Sequence, residues 1–290
     1  MTKCIHNGVV LLFFGIVTEG IWAQQDVWIQ KGSWEVGADL IPVIRLTADT
    51  AWADQNMVFR LAEDAGDALT VHNLDSLDHT WFIGSPGADD VAIPSGASVE
   101  IELPALPMGS YRLGLSDLSG YRLGGSSMLQ VGLPDISVDS TALYHWNLSD
   151  WSTAEMLSVA AGENPDPEAP YVPDQFTINE RTYPATIEDP NALVQLGLGD
   201  TCLIAIANHG LMDHVLHFHG FHVQIVSSTH QPERVGWSKD TVPVLKGEAI
   251  TVQLVANQPG TYPVHDHNLI AVTNAGFYPG GMLTQIIVSP

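Results

Sequence analysis

Cysteine and positive charge are what this 290-residue sequence has least of: two cysteines, and 10 lysines and arginines against 33 aspartates and glutamates. A formal charge of -23 at pH 7 leaves no basic surface to neutralise phosphates, which argues against nucleic acid or anionic lipid heads as partners and favours cations, metal ions included. Long helical periodicity is also missing, while 26 glycines and 18 prolines punctuate short alternating runs, the pattern of a β-rich protein. With 45% hydrophobic and 15% charged residues the chain is too apolar for disorder, and its length suits about two domains. No Gly-rich phosphate loop, Gly-Xaa-Ser-Xaa-Gly elbow or His-Glu-Xaa-Xaa-His helix is present, so nucleotide chemistry and conventional hydrolysis have no foothold.

The N-terminus reads as an export leader. Lys3 is the only early charge, Val9 to Val17 form an apolar run of signal-peptide length, and Ala23 offers a small residue for cleavage before Gln24. The run falls short of the roughly 20 residues a membrane-spanning helix needs. Residues 1–23 are therefore expected to be a signal peptide, the mature protein periplasmic or secreted and without a membrane span. Cleavage would remove Cys4 and leave Cys202 alone, excluding an intrachain disulfide.

Beyond the leader the chain repeats itself. Gly66-Asp67, an alternating apolar run and Asn73 to His79 match Gly199-Asp200, a second such run and Asn208 to His214. Ser95-Gly96, Val99 to Leu103 and Gly109-Ser110-Tyr111 return as Lys246-Gly247, Ile250 to Leu254 and Gly260-Thr261-Tyr262. Period-two alternation bounded by Gly, Pro, Asn and Asp is that of antiparallel sheets, so two homologous β-sandwiches are expected. The acidic, proline-rich stretch from Asn164 to Asp174 reads as the linker, giving a first domain over 24–164 and a second over 165–290. Asp150 to Ala161 is the one segment that looks helical.

Eight of the 12 histidines lie after residue 199. Residues two apart on a strand share a face, so His217 and His219 form one imidazole pair and His265 and His267 another. Two such pairs on neighbouring strands can converge on one metal ion or a close pair of ions, copper or zinc by the chemistry of the donors. The competing reading is a relic whose rings bond to backbone and water. Asp266, by the same alternation, points to the opposite face, where His214 could lie; an ion pair and a second metal site are equally open there.

These segments resemble a known family. His214-Val215-Leu216-His217-Phe218-His219-Gly220 looks like the His-Pro-Xaa-His-Xaa-His-Gly motif of multicopper oxidases, and Gly260-Thr261-Tyr262-Pro263-Val264-His265-Asp266-His267 looks like their later Gly-Thr-Tyr/Trp and His-Cys-His segment. The resemblance covers residues 170–290, with 60–135 as a degenerate copy. It implies an all-β fold of two tandem cupredoxin-like Greek-key sandwiches, similar to two-domain laccases and copper nitrite reductases, which commonly form homotrimers. It also implies copper, with zinc a second candidate, at His217, His219, His265 and His267, and it makes His214 a further candidate ligand.

The departures are as informative. The family's blue copper needs the central thiolate of His-Cys-His, and Asp266 stands there; a carboxylate cannot form that Cu–S bond. Of the other blue-site members only His214 and Met282 remain. The repeat sets Phe82 and Gly84 against His217 and His219, and Gly114 and Ser116 against His265 and His267, so the first domain offers no ligands. The expectation is an exported copper-binding oxidoreductase that meets a small-molecule ligand directly, with Asp266 passing protons; the alternative is non-catalytic copper or zinc sequestration. His79 reads as a remnant, His222 as packed or surface, and His72, His145, His209 and His230 as surface residues. Cys202 reads as a small buried hydrophobe, and Asn147-Leu148-Ser149 matches a glycosylation acceptor.

Overall fold

The computed structural model describes residues 25–63, 68–85, 88–133 and 142–290. The expected leader with Cys4, and the repeat's Gly66-Asp67, lie outside them. Nine strands make the first sandwich: β1 (Gln25–Val36), β2 (Asp39–Thr47), β3 (Phe59–Leu61), β4 (Ala68–Asn73), β5 (His79–Ile83), β6 (Val91–Ile93), β7 (Ser98–Glu102), β8 (Gly109–Leu115) and β9 (Ser126–Val131). They form one sheet in the order β2-β1-β4-β7 and another in the order β3-β9-β8-β5-β6. The second sandwich contains β10 (Ala142–Trp151), β11 (Gln175–Ile178), β12 (Val194–Gly197), β13 (Thr201–Asn208), β14 (His214–Phe218), β15 (Val223–Ser228), β16 (Ser238–Lys239), β17 (Thr241–Val244), β18 (Ala249–Val255), β19 (Gly260–Asp266) and β20 (Leu283–Ser289). Its sheets run β11-β10-β13-β18-β15-β16 and β12-β20-β19-β14-β17.

The repeat holds at the level of strand pairing. Parallel β1–β4 is matched by parallel β10–β13, parallel β3–β9 by β12–β20, and antiparallel β5–β8 by β14–β19. Alternation sets the facing: β5 and β14 each bury every second residue, as a strand with one face on a core must. The cores are anchored by Phe59 edge-on to Trp81 and by Trp146 stacked on Phe218, with ring centroids 6.2 and 5.8 Å apart.

The domain boundary differs from the sequence reading. β10 is hydrogen-bonded between β11 and β13, so the second sandwich begins at Ala142, and the linker at 164–174 falls within its strand set. After the short helix α1 (Leu118–Arg122), the helical segment expected from the sequence is shorter than read there, α2 (Thr153–Ala160), because Asp150 and Trp151 complete β10. Ser152 caps α2 by accepting from the Glu155 amide, and Met156 and Val159 pack into the first sandwich's core. The two sandwiches meet through Met128, Leu143, Leu203, Ala205, Ala207 and Ala249, with the hydroxyls of Ser110 and Thr251 2.7 Å apart. The six-stranded sheet is thus covered, while the outer face of the five-stranded β14–β19 sheet stays half-exposed. Among the described residues no helix is long and apolar enough to cross a membrane. The glycosylation triplet lies buried in β10, with Asn147 only 2% exposed, because that strand is interior to its sheet.

Candidate metal centre

The antiparallel register of β14 and β19 sets His217 directly opposite His265 and Leu216 opposite Asp266. Alternation then sends the imidazoles outward and Leu216, Phe218, Val264 and Asp266 into the core. His219 and His267 follow just beyond the strand ends. The His217 ring lies 4.4 Å from that of His219, 5.9 Å from His265 and 6.0 Å from His267, and His219 lies 5.1 Å from His265. All four rings predicted from the sequence are therefore neighbours on one face.

Their hydrogen bonds fix which nitrogens are free. His265 Nδ1 donates to the Asp266 carbonyl at 2.8 Å, which leaves Nε2 as the ring's acceptor. That Nε2 meets His219 Nε2 at 3.0 Å. His217 Nδ1 is 2.9 Å from the Thr241 hydroxyl, leaving its Nε2 unbonded. Partial burial, then the neighbouring His217 and His265, hold the His219 pKa below its usual value. Among the described residues no three His, Cys, Asp or Glu side chains already surround a common point; the closest approach of donors is the His219–His265 pair.

Beneath the sheet lies a second constellation. His214 is fully buried, with Nδ1 2.6 Å from Asp266 Oδ2 and Nε2 3.1 Å from Asp150 Oδ2. Burial alone would discharge the ring, but its bonds to Asp150 and Asp266 outweigh burial and raise its pKa to about 9. Burial likewise disfavours the Asp150 carboxylate, yet the His214 bond and charge and the amides of Met212 and Leu211 keep its pKa low. Asp266 Oδ1 accepts from the Asn268 amide at 2.8 Å.

Two sequence expectations are corrected here. His214 has both ring nitrogens occupied by carboxylates, so it forms an ion pair and is not free to ligate. The Asp266 carboxylate, expected to pass protons at the outer site, is fully buried on the opposite face and held by His214; its carbonyl is what touches the outer site. Met282 is core, fully buried.

The first sandwich repeats the clamp with other acids. His79 is buried, with Nδ1 3.1 Å from Asp117 and Nε2 3.3 Å from Asp75, so it is a partnered residue rather than an isolated remnant. Burial opposes its charge, and the bonds to Asp117 and Asp75 raise its pKa nonetheless. Phe82 pairs with Gly114 in the register of His217 with His265, and Arg112 lies over the Phe82 ring at 5.3 Å.

Sequence reasoning missed Asp150, Asp117 and Thr241, which lie far along the chain from the histidines they meet, and Asp75, four residues before His79. It also misplaced two histidines. His209 is buried, accepting from Arg112 through Nδ1 and bonded to the Asn147 side chain through Nε2. Burial drives the pKa of His145 down to about 4. Cys202 is fully buried and burial pushes its thiol up to about 12, which fits an inert hydrophobe.

Comparison with known proteins agrees with this fold. Residues 162–289 match the family model described as multicopper oxidase. The chain is similar to the multicopper oxidase MmcO of Mycobacterium tuberculosis, 29% identical over 248 residues, 79% of this chain and 43% of the relative. Among solved structures, it superposes on a blue copper oxidase from Nitrosomonas europaea with TM-score 0.72 at 24% identity, covering 91% of this chain and 85% of that one. The multicopper oxidase mgLAC gives TM-score 0.74 at 23% identity, with the same two coverages. Residues 162–289 are similar to multicopper oxidases, and the chain has the fold of these solved structures. It spans less than half the length of the curated relatives it matches. The family model's match falls on the sandwich that carries the four outward imidazoles.

Proposed function

We propose that this protein binds copper through His217, His219, His265 and His267 and acts as an exported oxidoreductase on a small ligand at that site. One observation carries the reading: the Nε2 atoms of His265 and His219 meet at 3.0 Å on a half-exposed sheet face, beside two further imidazoles. The donor chemistry fits copper, and zinc is the second candidate. His219 and His265 would hold the ion first; His217 and His267 would add donors by turning about their side-chain bonds.

Copper, when bound, supplies one-electron redox chemistry and Lewis acidity. The chain's own residues prepare the site. The Asp266 carbonyl fixes the His265 tautomer, and Thr241 orients His217. Below the sheet, the carboxylate at position 266 and the doubly bonded His214 support a protein without a blue copper, hence without a thiolate relay for single electrons. The residues at the equivalent places in the first sandwich, Phe82, Gly84, Gly114 and Ser116, carry no nitrogen or thiolate donors, so the second sandwich serves alone. A cleaved leader over 1–23 would place the protein in the periplasm or outside the cell, and a homotrimer is the assembly the family resemblance suggests.

A second reading, cation sequestration without turnover, is favoured by the charge of -23 and by the lack of three preset donors around one point among the described residues. Oxygen consumption and nitrite reduction, measured on the copper-loaded protein with a small reductant, separate the two. Turnover that vanishes in His217→Ala/His267→Ala supports the oxidoreductase; copper binding with no turnover supports sequestration, and turnover that survives the double change contradicts the site.

A further inference from the structure

Away from the histidines, a cleft of about 420 Å³ opens between the first sandwich and the loop after β11, inside the range of roughly 300–1,000 Å³ that small-ligand sites occupy and at the domain junction where they concentrate. Two indoles line it. Trp34 is half-buried, and Trp52 is 40% exposed, its six-membered ring lying against Gly32, where a Cβ would come within 2.3 Å.

The loop's backbone is unusual: Asn179 and Glu180 are successive non-glycine residues at φ 52 and 59°, in the left-handed region that such residues seldom adopt. The conformation is held in place. Gln55 donates to the Asn179 carbonyl, and Asn56 donates to Glu180 through its side-chain amide at 2.7 Å. Buried Arg45 donates to the carbonyls of Ile44 and Asp54 and is balanced by Glu180 and Asp54.

Arg181, next in the chain, has no such partner. Among the described residues its guanidinium makes no hydrogen bond or ion pair, and its Nε is buried and unsatisfied. A buried donor without an acceptor is costly, and native proteins seldom tolerate one unless something else supplies the acceptor. A guanidinium presents donors in a fork that matches a carboxylate, and indoles offer flat faces for a ring. Glu35 and Asp54 also line the cleft and would repel a second negative charge.

We infer that this cleft binds a small aromatic monocarboxylate, its ring against Trp34 and Trp52 and its carboxylate on Arg181. The site is independent of copper. The test titrates the full-length protein with benzoate, benzamide and phthalate, following tryptophan fluorescence and binding calorimetry. Benzoate should quench saturably and bind at least tenfold tighter than benzamide or dianionic phthalate. Arg181→Gln should weaken benzoate at least tenfold, Arg181→Lys should restore part of the loss, and Trp52→Phe should remove much of the quench. Equal affinity for benzoate and benzamide, no saturable binding of benzoate, or full affinity in Arg181→Gln would overturn the inference. The comparison of the three ligands on the unaltered protein stands even if a variant fails to fold.

Discussion

Replacing Asp266 by Asn tests whether the buried clamp is an ion pair. The change keeps the shape but removes the carboxylate that meets His214 Nδ1 at 2.6 Å, leaving Asp150 as the ring's only counter-charge. A His214 pKa raised from 6.5 to about 9 corresponds to roughly 3–4 kcal/mol at ~1.4 kcal/mol per pH unit. Because the folded-state pKa lies above the unfolded one, this stability is fully present below about pH 6.5 and is lost as pH rises through about 9. The variant can shed the proton instead of burying an unpaired charge, so the loss should be about 2–3 kcal/mol near pH 6, at the low end for a broken buried pair. Near pH 10 the unaltered protein has itself lost that proton, and the gap should close to under about 1 kcal/mol. Urea denaturation followed by tryptophan fluorescence at both pH values measures this. The same deficit at both would mean that Asp266 contributes packing or neutral hydrogen bonds, and the ion-pair reasoning would fail. Copper uptake should be unaffected, since the carboxylate does not face the outer histidines.

In the first sandwich, burial disfavours the Asp117 carboxylate, but hydrogen bonds from His79 and the amides of Gly120 and Thr80 bring its pKa down to about 2. Its contribution is present above the ordinary carboxylate pKa and fades as pH falls towards 2; Asp117→Asn should therefore lower the melting temperature at neutral pH and narrow its gap to the unaltered protein near pH 2, as calorimetry across pH would report. Gly210→Ala should destabilise by about 3 kcal/mol, since its Cβ would sit 1.8 Å from Asp150 Oδ2 and the crowding would displace the acid that holds His214; chemical denaturation that finds the variant unchanged would contradict the packing described.

The outer cluster of imidazoles was legible in the sequence. Strand parity alone put His217 with His219 and His265 with His267 on one face and Asp266 on the other, because side-chain direction in a strand alternates whatever the tertiary fold. The register of the repeat was legible too, since Phe82 and Gly114 align by motif and pair in the sheet. The inner clamp was not. Asp150 precedes His214 by 64 residues and sits on β10, which the proline-rich stretch at 164–174 made look like the end of the first domain; parallel pairing with β13 leaves no local trace in sequence. His209 read as a surface residue for a related reason: a polar side chain can be buried when distant partners satisfy it, here Asn147 and Arg112.

Metal analysis of two proteins, the unaltered chain and one with His217, His219, His265 and His267 all replaced by Ala, tests the central claim most directly. After copper loading and dialysis, the unaltered protein should retain copper with a nitrogen-ligated paramagnetic signal and no intense thiolate absorption, and the variant, still folded, should retain none. Copper held equally by both proteins, or an intense blue thiolate band in either, would contradict the account.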